Sequence, residues 1–122
     1  KDGKVIADNF YCIAAERNVY DWDNFDWYIT PIKKHSDLRF AFAQPEAEVA
    51  METSYADGVY TVTLKNDSDV VSYMNILKAK DSEGNMIVPA YWSDNFFPLL
   101  PGQTKTVTCK ADVAGVKIEL DK

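Results

Sequence analysis

Histidine occurs once in this sequence, at His35, and cysteine twice, at Cys12 and Cys109. One imidazole cannot build a histidine-rich metal site, and no Ser-His-Asp order surrounds it, so His35 reads as a solvated loop residue. Two cysteines this far apart do not form the framework of a small cysteine-rich scaffold. They read as buried free thiols, with a disulfide the alternative in an exported protein. Positive charge is also scarce: 13 Lys and Arg face 19 Asp and Glu, a formal net charge of −6. A surface of that sign repels phosphate backbones, which argues against nucleic acid as a partner. No apolar run approaches the ~18 residues that cross a bilayer. The start, Lys1-Asp2-Gly3-Lys4, shows neither an initiator Met nor a signal peptide, so the sequence reads as a mature product or an excised fragment. No internal repeat and no low-complexity tract is read in it.

What is present is a globular composition, with 47% hydrophobic and 26% charged residues in 122. That length is one domain, able to bury a core without metals or staples. The second half reads as short strands between turns. "EVAMET" alternates, with Val49 and Met51 on one face. Asp57-Gly58 is a favoured hairpin dipeptide. "YTVTLK" then places Tyr60, Val62 and Leu64 inward, and "NDSD" (residues 66–69) is a polar turn. "VVSYMNILKAK" is apolar on both sides and predicts a central strand covered on both faces. In "MIVPAYW", Pro89 belongs at an edge or bulge because it cannot donate to a ladder. Pro101-Gly102 reads as a type II turn, and "TKTVTCK" and "GVKIEL" close the chain as strands. At least six strands without a convincing helix predict an antiparallel sandwich. Its core should comprise Val49, Met51, Tyr60, Val62, Leu64, Tyr73, Leu77, Val107, Ile118 and Leu120.

Residues 1–45 differ from residues 46–122. "KVIADNFYCIAA" has the makings of a strand, but residues 18–45 keep neither a period of 2 nor one of 3.6. They carry Tyr20, Trp22, Phe25, Trp27, Tyr28, Phe40 and Phe42. Rings at this density are costly to leave in water. The stretch reads as an ordered wrapping segment that packs on the sandwich, on a neighbouring domain, or on both. Within it, "DWDNFD" offers Asp21, Asp23, Asn24 and Asp26, but an EF-hand loop starting at Asp21 would need an oxygen ligand at Phe25, Gly at Asp26 and Glu at Ile32. An acidic turn with capping hydrogen bonds is the reading, and no metal is expected. Trp22, Trp27 and Trp92 are suitable for stacking on pyranose rings; the competing use is packing. Among so many acids, pairs arise by chance, and no catalytic pair stands out.

One longer stretch, "VPAYWSDNFFPLLPGQTKTVT", is more specific. With "GKVIADNFYCIA" and "DWDNFDWYITPIKKHSDL", it resembles the C-terminal immunoglobulin-like domain of family 2 glycoside hydrolases of the β-mannosidase and exo-β-glucosaminidase type. The resemblance runs from about residue 3 to about residue 108, with Cys12 standing where a tryptophan is expected after "NFY". It implies an all-β, immunoglobulin-like antiparallel sandwich behind an aromatic lead-in. In such enzymes the two catalytic glutamates sit on a (β/α) barrel of roughly 250 residues, which this chain cannot hold. The resemblance therefore implies a non-catalytic accessory domain without a cofactor. Its partners would be the other domains of a bacterial enzyme exported to the periplasm or beyond. "SDN" (residues 93–95) should turn the chain so that Phe96, Phe97, Leu99 and Leu100 tuck under the sheet, with Asp94 and Asn95 bonding nearby amides. Two alternatives stand beside the accessory domain. One is a carbohydrate-binding module that meets oligosaccharide through Trp22, Trp27 and Trp92; the other is a cell-surface interaction domain unrelated to sugars.

Overall fold

The structure is a computed structural model that describes residues 2–3, 5–111, 113 and 115–121. It divides into two units, residues 1–44 and 45–122. The first unit holds a small antiparallel pair, β1 (Val19–Tyr20) and β2 (Ile32–Lys34), a 3-10 turn (Trp22–Asn24) and a single helical turn, α1 (Phe40–Ala43). The strand expected from "KVIADNFYCIAA" does not form in residues 5–14, and Lys4 lies outside the described residues. A strand pattern needs a neighbour to take its N–H and C=O groups. Here Val5, Ile6, Tyr11 and Ile13 stay exposed.

The second unit is an antiparallel sandwich. One sheet orders β3 (Val49–Ala56), β4 (Val59–Asn66), β8 (Thr104–Ala111) and β6 (Ala90–Trp92). The other orders β7 (Phe97–Leu99), β5 (Ser72–Lys80) and β9 (Lys117–Asp121). Asp57 and Gly58 join β3 to β4 with φ of 50° and 80°. Two positive values in succession make the type I′ hairpin, whose twist matches that of its strands. Among the described residues, helix is confined to single turns, as the strand rhythm predicts.

The core lies between the inner faces of the two sheets. Tyr60, Val62, Leu64, Val107 and Cys109 come from the four-stranded sheet; Leu77, Ala79, Phe97, Leu99 and Ile118 come from the other. Val49, Met51 and Leu120 pack against this cluster, half-buried. Nine of the ten expected core residues therefore take part. The exception is Tyr73, which is half-buried and outside the cluster. A register irregularity between Ser72 and Asn75, with Met74 at φ 49°, shifts the phase of β5. Ser72 faces in before it, and Asn75, Leu77 and Ala79 face in after it. The same alternation leaves β5 buried on one face and only half-covered on the other, not enclosed on both.

Charge pairs line the outer surface of the β5–β9 pair. Lys80 and Lys117 approach Glu119 at 2.5 Å and 3.0 Å. The hydrogen bond from Lys80, then that from Lys117, brings the Glu119 carboxyl from an ordinary 4.5 down to about 2. A depressed acid stabilises the fold above its unfolded value and loses that contribution as pH falls through the folded one. Glu119→Gln should flatten the decline of stability between pH 4.5 and about 2, as read by denaturant titrations across that window. The effect should shrink in high salt, because these side chains touch water.

Candidate functional site

The stretch "AYWSDNFFPLLPG" is where the chain changes sheets. β6 runs along the edge of β8, pairing Ala90 with Ala111 and Trp92 with Cys109. Pro89 stands just before it, outside the ladder, as its missing N–H requires. Trp92 is half-buried against the core, while Tyr91 is exposed. Three polar residues then fasten the crossing. The Ser93 amide donates to the Thr108 carbonyl at 2.9 Å, and Ser93 Oγ accepts from the Thr108 amide at 2.9 Å. Asp94 Oδ2 lies 2.6 Å from Lys105 Nζ. That ammonium holds the Asp94 carboxyl below the usual carboxylate range. Asn95 reaches the other sheet: its Oδ1 accepts from the Leu77 amide at 2.8 Å, and its Nδ2 donates to the Leu77 carbonyl at 3.0 Å.

β7 comes next, a short edge strand whose Pro98 gives up no ladder bond. Buried asparagines hold it. Asn75 Nδ2 donates to the Phe97 carbonyl and Asn66 Nδ2 to the Leu99 carbonyl, each at 3.0 Å. Lys105 Nζ also sits 4.6 Å from the centroid of the Phe97 ring, within cation–π range. The turn ends with the Gln103 amide donating to the Leu100 carbonyl at 2.9 Å, and Gly102 takes φ 72°, the type II geometry. Asp94 and Asn95 bond the next amides as expected, at 2.8 Å and 3.0 Å. Phe97 and Leu99 are buried, but Phe96 and Leu100 are exposed: both lie just outside β7, and Phe96 turns the chain at φ 59°. The stretch is a structural joint fastened to both sheets.

In the first unit the acids of "DWDNFD" serve the backbone. Asp21 caps the 3-10 turn, its Oδ1 accepting from the Asp23 amide at 3.3 Å and its Oδ2 from Asn24 Nδ2 at 2.7 Å. Lys33 Nζ pairs with Asp21 at 3.0 Å and with Asp23 at 3.1 Å. The Asn24 bond first, then Lys33, holds the Asp21 carboxyl below its usual range. Asp26 Oδ1 accepts from the Trp27 amide at 2.8 Å. This is the acidic, capped turn that the spacing predicts. Among the described residues, no three His, Cys, Asp or Glu side chains gather to hold a metal ion. His35 is an exposed loop residue.

Each lead-in tryptophan leans on a tyrosine. Trp22 and Tyr20 have centroids 5.6 Å apart at 45°, and Trp27 and Tyr28 5.4 Å apart at 38°. Trp22 is 69% exposed and Trp27 76%. Trp92 belongs to the sandwich, where it packs against the core. An open cavity of about 350 Å³ lies in the first unit, lined by Cys12, Ile13, Arg17, Asn18, Tyr20 and Leu38 among others. Sequence reasoning missed it: most of its wall is the stretch 12–20, which carries no motif, and Ser36 and Leu38 join it only once distant segments meet. Cys12 is free and exposed, contrary to the expectation of two buried thiols; Cys109 is free and buried, and burial pushes its thiol pKa up.

A family model for the exo-β-D-glucosaminidase Ig-fold domain matches residues 27–121. An exo-β-D-glucosaminidase of Amycolatopsis orientalis is 34% identical over 94% of this chain, and one of Hypocrea jecorina is 32% identical over 97%. The chain spans only 12% and 14% of those proteins. The crystal structure of the Amycolatopsis orientalis exo-chitosanase CsxA superposes with a TM-score of 0.74 at 31% identity, covering 98% of this chain and 16% of that one. Of the two enzyme types joined in the sequence resemblance, these matches carry the exo-β-D-glucosaminidase description. They come from fungal as well as bacterial sources, so the bacterial origin expected from sequence is too narrow for the family.

Proposed function

This chain belongs to the exo-β-D-glucosaminidase Ig-fold domain family, and from that premise we propose that it is a non-catalytic bracing domain of a larger β-D-glucosaminidase. One observation carries the reading: relatives match nearly the whole chain, yet the chain makes up only 12% of the Amycolatopsis orientalis protein. The chemistry then resides elsewhere in the parent, on a scaffold of the roughly 250 residues that a barrel needs. The fastened joint at residues 90–102 supports a rigid support, since its polar side chains are spent on holding strands. The exposed rings of the lead-in support packing against other parts of the parent, because large apolar groups gain most from leaving water. An exported parent, periplasmic or extracellular and acting on a polymeric amino sugar, completes the proposal.

A second reading rests on Trp22 and Trp27, whose exposure would suit a carbohydrate-binding face. One experiment separates the two. The isolated chain should turn over no aryl β-D-glucosaminide, and its tryptophan fluorescence should not change when glucosamine oligosaccharide is added. A saturable shift lost in Trp22→Ala or Trp27→Ala, without unfolding, would replace bracing with sugar binding. Turnover abolished by substituting an acid of this chain would overturn the non-catalytic reading.

A further inference from the structure

Of the seven asparagines in the sequence, Asn66 alone heads an Asn-X-Ser/Thr triplet, Asn66-Asp67-Ser68. That triplet is the acceptor pattern for N-linked glycan, and accepted sites lie on exposed loops. By its place in the chain the triplet qualifies: it runs from the end of β4 into the turn before β5, and Asp67 is exposed. By its first side chain it does not, because Asn66 is 0% exposed.

A glycan acceptor needs a free Nδ2. An asparagine amide nitrogen has two N–H bonds to give. Both are spent here, one on the Val70 carbonyl at 2.8 Å and one on the Leu99 carbonyl at 3.0 Å. Oδ1 accepts from the Ser68 amide at 3.1 Å and the Ser68 hydroxyl at 2.6 Å, so the hydroxyl of the triplet is engaged as well. The main chain is held on both sides. The Asn66 amide donates to the Gln103 carbonyl and the Asn66 carbonyl accepts from the Gly102 amide, each at 3.0 Å. The Asp67 amide donates to the Glu48 carbonyl at 2.9 Å. A sugar on Nδ2 replaces one of its hydrogens, strands a carbonyl, and forces a pyranose ring against β7 at Leu99, itself 0% exposed.

We infer that Asn66 is an N-glycan acceptor in the unfolded chain only, and that the glycan and the sandwich exclude one another. In the transfer, Nδ2 bonds to the anomeric carbon of a lipid diphosphate-linked oligosaccharide. That carbon's bond to the diphosphate breaks, the lipid diphosphate leaves with the bonding pair, and Nδ2 loses one proton. In a secretory compartment that supplies this donor, transfer competes with the closing of β3, β7 and β8 around residue 66. A chain that folds first is protected. A chain glycosylated first cannot complete its core, because attachment to the unfolded state draws the population away from the fold. The inference is independent of the bracing reading: it concerns how the sandwich forms, whatever the parent does.

The test compares the purified chain with a peptide of residues 60–72. Each is given a eukaryotic oligosaccharyltransferase and its lipid diphosphate-linked oligosaccharide, and attachment at Asn66 is read by mass spectrometry. The peptide should be modified, and the folded chain at least about 1,000-fold more slowly, in keeping with the small fraction of a native protein that is unfolded at any moment. Leu64→Ala leaves the triplet intact but raises the unfolded population, so it should speed labelling of the chain by about 30-fold or more. An unmodified peptide would remove the acceptor. Equal rates for peptide and chain, or no acceleration in Leu64→Ala, would show that the folded site is open and overturn the exclusion. In a eukaryotic secretory host, the exported, protease-resistant chain should carry no glycan at Asn66; one that carries it would overturn the inference by itself.

Discussion

Leu64→Ala is expected to destabilise the sandwich by about 2–5 kcal/mol. Leu64 is 0% exposed and sits on β4, which is paired on both sides, by β3 and by β8. A strand held on both edges cannot move inward to fill the space left by an isobutyl group. The cavity cost therefore adds to the lost transfer energy instead of relaxing away. Against a typical total of about 5–15 kcal/mol, this is a large fraction. A denaturant titration should show a lower midpoint with an unchanged slope. A loss below about 0.5 kcal/mol, the size of an ordinary surface substitution, would remove Leu64 from the core.

Asn66→Ala should cost a comparable amount, on the order of 3 kcal/mol, for a different reason. Asn66 is also 0% exposed. Its Nδ2 donates to the Val70 carbonyl at 2.8 Å and the Leu99 carbonyl at 3.0 Å. Its Oδ1 accepts from the Ser68 amide at 3.1 Å and the Ser68 hydroxyl at 2.6 Å. Removing the side chain strands polar groups away from water, each costing about 1–3 kcal/mol unless a water enters. Asn66→Asp keeps the acceptor but loses both donations and places a charge in the interior, so it should be no better. Thermal melts of both variants check this. Wild-type stability in Asn66→Ala would mean that the β4–β5 turn and β7 are held by their strands alone.

These two residues mark how far the sequence can be read. Leu64 is legible because alternation in "YTVTLK" is local: a pleated backbone sends every second side chain the same way. The hairpin at Asp57-Gly58 and the turn at Pro101-Gly102 are legible for the same reason, since each dipeptide carries its own φ preference. The antiparallel sandwich is legible from the spacing of such signals, but its strand order is not. Asn66 reads as one more polar turn residue, and nothing nearby marks it as buried. Its partner Leu99 is 33 positions away, that of Asn75 is 22 away, and that of Asn95 is 18 away.

The sequence by itself determined where strands alternate and where hairpins close. Tertiary structure decided which strand patterns found a neighbour, where β5 slips phase at Met74, and that three asparagines bind the crossing between sheets. It also decided which rings are spent in the core, as Phe97 is, and which are left on the surface, as Trp22 and Trp27 are. The physical reason is one of range. Backbone preference and side-chain alternation act within a few residues, whereas a hydrogen-bond partner or a buried face exists only once distant segments meet.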